Sequence, residues 1–143
     1  MGEAARADEG ADFRSGIRLL ARLARVAEQA CQRTGISLPQ YRLLVSITGR
    51  PQRASELAAS VGVSRPTLTS LVDGLEEAGY LRRVPVLSDR RGIQLVVTDA
   101  GRAAVATAEH ALTRRLRELA GPDAARAVGQ VVAAIGAALD RES

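Results

Sequence analysis

Residues 54–83 read ASELAASVGVSRPTLTSLVDGLEEAGYLRR, and this stretch decides the fold. Ala54, Leu57, Ala58 and Val61 fall at i, i+3, i+4 and i+7, the spacing of one apolar helix face, with Ser55 near the start as a weak cap. A tight turn at Val61, Gly62 and Val63 follows. Ser64 is then placed to cap a second helix whose first turn holds Pro66, where a missing N–H costs nothing. Leu68, Leu71, Val72 and Leu75 repeat the helical spacing, and Gly79 ends it. Two short helices joined by a glycine-containing turn form a helix-turn-helix unit, whose second helix enters a DNA major groove with its N-terminal residues leading.

Working outward, the period changes after Tyr80 from helical to extended. Residues 81–86 and 93–97 predict a β-hairpin around the polar tip Ser88-Asp89-Arg90-Arg91-Gly92. Pro85 cannot donate to a ladder, so its strand belongs at an edge, as in a protruding wing. Upstream, Gly35 supplies a left-handed stop, Ser37 a cap and Pro39 a first-turn residue for a helix running to about Thr48 on the apolar face Leu43, Leu44 and Ile47. Before it, residues 12–33 carry Ile17, Leu20, Leu23, Ala24, Ala27 and Cys31 on one helical face, with Arg14, Arg18, Arg22 and Arg25 opposite. Downstream, Thr98 or Asp99 opens a helix to about Ala120, and Gly121-Pro122-Asp123 opens a last helix with Val128, Val131, Val132, Ile135 and Leu139 along one seam.

The helix with its apolar face on Leu68, Leu71, Val72 and Leu75 turns Pro66, Thr69, Ser70 and Asp73 outward, with Ser64, Arg65 and Thr67 at its leading end. These short, hydrogen-bonding side chains permit close approach to base edges and phosphates. In the hairpin Arg82, Arg83, Arg90 and Arg91 stand against Asp89 alone, whereas Asp73, Glu76 and Glu77 leave the helix acidic. Much of the attraction for a duplex is therefore expected from the wing, whose tip arginines suit a narrow minor groove.

The run from ASELAASVGV to AGYLRRV, followed by SDRRG, IQLVVT and DAGR, resembles the multiple-antibiotic-resistance regulator (MarR) family. ISLPQYRLL resembles that family's second helix and the flanking long helices resemble its dimerisation region, so the likeness covers nearly the whole chain. It implies a mainly α fold with a small β-hairpin wing: a winged helix-turn-helix over residues 37–99 and a helical dimerisation region over 12–36 and 100–143, preceded by a disordered tail at 1–11. It further implies a cytoplasmic homodimer reading double-stranded DNA at a palindromic site as a repressor, released by a small anionic or phenolic effector. In that reading Asp89 braces the wing and Arg91 or Arg90 reaches the minor groove. Separately, Tyr41 and Arg42 are candidates to line an effector pocket at the junction of the dimer and DNA-binding regions, although a tyrosine on an amphipathic helix more often serves packing. Arg53 departs from the threonine the family often carries, which leaves the cap of the third helix unassigned.

Composition narrows the alternatives. The 143 residues are 46% hydrophobic and 25% charged, as in an ordinary globular protein, and with aromatics at 2% the core is expected to be small aliphatics in closely packed helices. Six helices and a hairpin leave the Ala- and Val-lined terminal helices nothing large to cover, which independently points to a partner copy. All 20 basic residues are arginine, first a mark of a GC-rich coding sequence, but also a set of permanently charged planar forks. A net charge of +4 permits an anionic partner without requiring one. The lone Cys31 excludes a disulfide framework within the chain and lies in phase with the buried face, unlike a sensing thiol near the helix start, where Phe13 stands. One histidine, His110, and one cysteine are too few for a metal sensor, and no cofactor is expected. No apolar run reaches membrane-spanning length. No nucleophile and base pair or phosphate-cradling glycine loop is placed by spacing, so an enzyme is not expected. The alternative of a different class is a winged-helix module that binds protein, which has no need for Arg90 and Arg91 at its tip.

Overall fold

The computed structural model describes residues 2–49, 52–53, 57–58, 61–86 and 92–142; for residues 2–15, 122–125, 127–128, 131–132 and 134–142 it describes the backbone alone. The chain runs α1 (Gly2–Gln32), α2 (Leu38–Thr48), β1 (Gln52–Arg53), α3 (Arg65–Glu77), β2 (Leu81–Pro85), β3 (Ile93–Val97) and α4 (Asp99–Glu142). Between β1 and α3, the backbone is helical at residues 57–58 and 61, and Leu57 and Val61 are buried on the expected face. The remainder of that expected helix, including Ala54 and Ser55, lies outside the described residues.

Local rules account for most boundaries. Ser37 accepts the Gln40 N–H while the Gln40 side chain accepts the Ser37 N–H, a reciprocal capping box that starts α2. Helix α3 ends in a Schellman turn: Gly79 takes φ +75° and donates to Glu76 O, and Tyr80 donates to Leu75 O. Thr98, one of two expected caps, opens α4 by accepting the Gly101 N–H on its hydroxyl. Gly121 at φ +73° breaks α4 into two helical runs, where the sequence places the start of a last helix.

Two features go beyond the expectations. Residues 2–11, read as a disordered tail, continue α1, in keeping with a composition of alanine, arginine and glutamate that favours helix and with Glu3 near its N-terminal end. The wing is also more than a hairpin. Its sheet has the order β1-β3-β2, with Gln52 opposite Leu95 and Arg53 opposite Gln94, so Arg53 serves as a strand residue. Among the described residues β2 pairs only with β3, which leaves Pro85 on an edge strand as its missing N–H demands.

The core is aliphatic, as the scarcity of aromatics requires. Leu43, Leu44 and Ile47 of α2 meet Leu57, Val61, Leu68, Val72 and Leu75 of the helix-turn-helix, Leu81, Leu95 and Val97 of the sheet, and Val105 and Ala108 of α4. The apolar stripe of α1 is buried only at its end, at Ala30 and Cys31, whereas Ile17 and Leu20 are 52% and 62% exposed. Leu116 and Leu119 of α4 are exposed as well.

The tightest joint lies between the end of α3 and the start of α4. Thr98 donates its N–H to Tyr80 O at 3.0 Å and its hydroxyl to Gly79 O at 2.7 Å. Gly101 passes so close that a Cβ there would stand 2.0 Å from Tyr80 O. We predict that Gly101→Ala lowers unfolding free energy by about 1–3 kcal/mol, the range for a forced backbone shift. A urea midpoint equal to that of the parent chain would show that the joint yields freely.

Candidate nucleic-acid interface

Ser64 caps α3 by accepting the Thr67 N–H at 3.3 Å, and its hydroxyl meets that of Thr67 at 2.7 Å. Leu68, Val72 and Leu75 seat the helix on the core, and this orientation leaves Ser64, Arg65, Pro66, Thr67, Thr69, Ser70 and Asp73 exposed. Thr69 donates to Arg65 O at 3.1 Å and Ser70 to Pro66 O at 3.3 Å. Their hydroxyl lone pairs remain available as acceptors. The first turn carries no acidic residue, so the partial positive charge of the helix N-terminus is unmasked.

Beside this face stands the wing. Leu81↔Val97, Arg83↔Leu95 and Pro85↔Ile93 set the register of its two longer strands, and Val86 donates to Gly92 O at 2.9 Å at the base of the tip. Arg82 is exposed and has no carboxylate partner among the described residues. Arg83, on the next position, turns the other way. One guanidinium nitrogen pairs with Asp73 Oδ1 at 2.5 Å, another pairs with Glu76, and its backbone N–H donates to Glu76 Oε1 at 3.0 Å. Hydrogen bonding to Asp73 raises the Arg83 pKa, burial opposes that effect, and Glu76 reinforces it. Asp89, Arg90 and Arg91 lie outside the described residues.

The structure thus separates residues that sequence placed in one class. Asp73 and Arg83, both expected at the duplex, are joined to each other. Glu76 was read only as part of an acidic helix, although its spacing of three from Asp73 puts both carboxylates on one face. Tyr41 and Arg42, expected to share a pocket, diverge. The Tyr41 hydroxyl donates to Glu109 of α4 at 3.4 Å, and burial followed by that carboxylate raises its pKa. Arg42 reaches instead toward the turn at Gly62.

A separate cleft of about 130 Å³ opens between α1 and α4, lined by Val26, Ala30, Arg33, Arg114, Arg115 and Glu118 among others. Glu118 pairs with Arg115 at 3.0 Å and with Arg114 at 3.8 Å. His110 is exposed, and no group of metal-ligating side chains occurs among the described residues. No described helix is long and apolar enough to cross a membrane.

Comparison with known proteins bears on this geometry directly. Residues 34–92, from the end of α1 through the helix-turn-helix to the close of the wing loop, match the model of the MarR family. The HTH-type transcriptional regulator PecS of Dickeya dadantii (strain 3937) is 41% identical over 51 residues, which cover 36% of this chain and 31% of PecS. That match spans about a third of PecS. The likeness in three dimensions reaches further. The transcriptional repressor CouR, solved bound to a 23-mer DNA duplex, is 28% identical with a TM-score of 0.67 over 85% of this chain and 89% of its own. Sco3205, a MarR family regulator from Streptomyces coelicolor solved in complex with DNA, is 26% identical with a TM-score of 0.67 over 91% and 87%. The mainly helical winged helix-turn-helix expected of a MarR-family chain is the fold observed.

The two wing arginines should respond differently to substitution. Arg82→Gln removes an unpaired surface charge; if this face meets a duplex, the salt dependence of binding is predicted to become shallower by about 0.9, the value for one phosphate contact. Arg83→Gln is predicted to weaken binding at unchanged salt slope, with a stability cost below about 1 kcal/mol because the pair is partly exposed. Titrations at several salt concentrations measure both; equal slope changes would contradict the assignment of Arg83 as a brace.

Cys31 yields a second prediction. Its thiol is fully buried, and burial, then the nearby Glu28 carboxylate, raises its pKa. The thiolate is therefore scarce at neutral pH. The native protein is predicted to react with a chromogenic disulfide far more slowly than the same chain in denaturant; equal rates would mark Cys31 as accessible.

Proposed function

We propose that this chain is a sequence-specific double-stranded DNA-binding regulator of transcription, acting as a homodimeric repressor on a palindromic operator. The observation that carries the reading is the face of α3. Six exposed positions, Ser64, Arg65, Pro66, Thr67, Thr69 and Ser70, occupy the capped N-terminus and first two turns, with no acid in the first turn and Asp73 exposed further along, beside an arginine-bearing wing. Likeness to two regulators solved on DNA supports it. In this reading Ser64, Arg65, Thr67, Thr69 and Ser70 meet base edges and phosphates, Pro66 allows close approach, and Asp73 engages Arg83. Arg82, Arg90 and Arg91 hold the flanking phosphates and minor groove, with Asp89 bracing the tip.

Self-association follows from exposed apolar surface. Ile17, Leu19 and Leu20 of α1 and Leu116 and Leu119 of α4 are 36% to 62% exposed in the single chain, and a second copy covers them. Two copies then present two α3 helices to two half-sites. A small anionic or phenolic effector suits the α1–α4 cleft better than the surroundings of Tyr41, because Arg33, Arg114 and Arg115 converge there while Tyr41 engages Glu109. An effector wedged between these helices acts on α4, whose start is joined to the end of α3. The chain is assigned no catalytic step.

Genome-wide footprinting of the purified chain, with its mass in solution measured in parallel, tests the proposal. Enrichment of a palindromic sequence by a dimer supports it; a monomer with chance-level preference refutes it. Replacing both Arg90 and Arg91 with Ala is predicted to weaken operator binding and to flatten its salt slope, at about 0.9 per lost phosphate contact. A protein-binding module would show neither effect.

A further inference from the structure

The outward face of α3 has a hydrogen-bonding polarity that its residue types alone do not reveal. Pro66, Thr69, Ser70 and Asp73 fall three or four positions apart, opposite the buried Leu68, Val72 and Leu75, and all four are exposed. A hydroxyl has one proton to donate and two lone pairs that accept. Thr69 Oγ1 stands 3.1 Å from Arg65 O, and Ser70 Oγ stands 3.3 Å from Pro66 O. A carbonyl oxygen only accepts, so both hydroxyl protons are directed back to the preceding turn. What these two side chains offer a partner is lone pairs.

Their neighbours on the face share that polarity. Asp73 is a carboxylate, one oxygen of which is held by Arg83, and Pro66 has no polar side-chain atom. Donors stand at the leading end instead, in Arg65 and in the hydroxyl pair of Ser64 and Thr67. A major groove distinguishes bases by the same property. Adenine N6 and cytosine N4 are amino donors, whereas guanine O6 and thymine O4 are acceptors. A hydroxyl that accepts from an amino group keeps its bond to the helix carbonyl; one that donates to a keto oxygen gives that bond up. The difference is one hydrogen bond, about 2- to 12-fold in affinity.

From this polarity we propose that Thr69 and Ser70 are specificity-determining residues that read amino groups, adenine N6 or cytosine N4, and not the keto oxygens of the same base pairs. This assignment rests on the DNA-binding reading above and adds to it which atoms of a base pair the middle of α3 recognises.

The full-length parent, Thr69→Val and Ser70→Ala each select from a pool of randomised duplexes, and melting temperature is recorded for each. A position whose base preference flattens in one variant marks the pair that the missing hydroxyl meets. At that pair, affinity is measured for duplexes in which hydrogen replaces the amino group and for duplexes in which hydrogen replaces the keto oxygen. Taking parent against variant cancels what each analogue does to the duplex itself. The expected result is that loss of the amino group weakens the parent about 2- to 12-fold more than the variant. Loss of the keto oxygen is expected to affect both alike, and Thr69→Ser and Ser70→Thr to behave as the parent. Coupling to the keto oxygen, or to neither atom, overturns the proposal, as does a selected sequence that neither variant alters. A lowered melting temperature weakens binding to every duplex alike and leaves the coupling readable. A parent that selects no sequence overturns the DNA-binding reading itself, an outcome distinct from a parent with a clear sequence and no coupling.

Discussion

Arg83 reaches from the first long strand of the wing to two carboxylates on the helix that precedes it, Asp73 and Glu76, and both the shape and the charge of the candidate surface depend on that contact. A partly exposed pair of this kind adds little to overall stability. Its effect is geometric. Three hydrogen bonds, one from the backbone of the strand, fix how far the wing leans from α3. The same contact offsets two negative charges on the later turns of the helix, whose first turn carries no acid.

A second constraint ties this unit to the long helices. The chain leaves α3 through the left-handed Gly79, and Tyr80 and Gly79 then accept hydrogen bonds from Thr98, the cap of α4. Gly101 closes the joint against Tyr80 with no room for a methyl group. A tilt of α4 therefore carries the end of α3 with it. The α1–α4 cleft and the Tyr41 to Glu109 contact both lie along α4.

The core explains why these joints have few aromatic supports. Its buried members are leucine, isoleucine, valine, alanine and one cysteine, packed where α2, the helix-turn-helix, the sheet and α4 converge. Away from that convergence α1 loses its cover, and the leucines and isoleucine of its outer half face solvent in the single chain. The periodicity of α1 is the same throughout, but burial is not, because burial depends on what lies opposite.

Local chemistry made much of the molecule legible from the chain alone. Ser37 with Gln40, Ser64 with Pro66, Gly79, and the spacing of Leu68, Val72 and Leu75 each act within a few residues, so the helix limits and the outward face of α3 follow from sequence. Pro85 likewise assigned its strand to an edge, since a residue without an N–H has no place between two partners. Contacts between distant residues were not legible. Two-residue β1 is too short to show a period and exists only because β3 offers it a ladder. The turning of Arg83 toward α3 while Arg82 faces outward, and the parting of Tyr41 from Arg42, depend on which element stands across from each side chain. Sequence determined the elements and their apolar faces through short-range sterics and hydrogen bonding; tertiary structure alone decided which charges meet, because that requires distances between residues that the order of the chain does not encode.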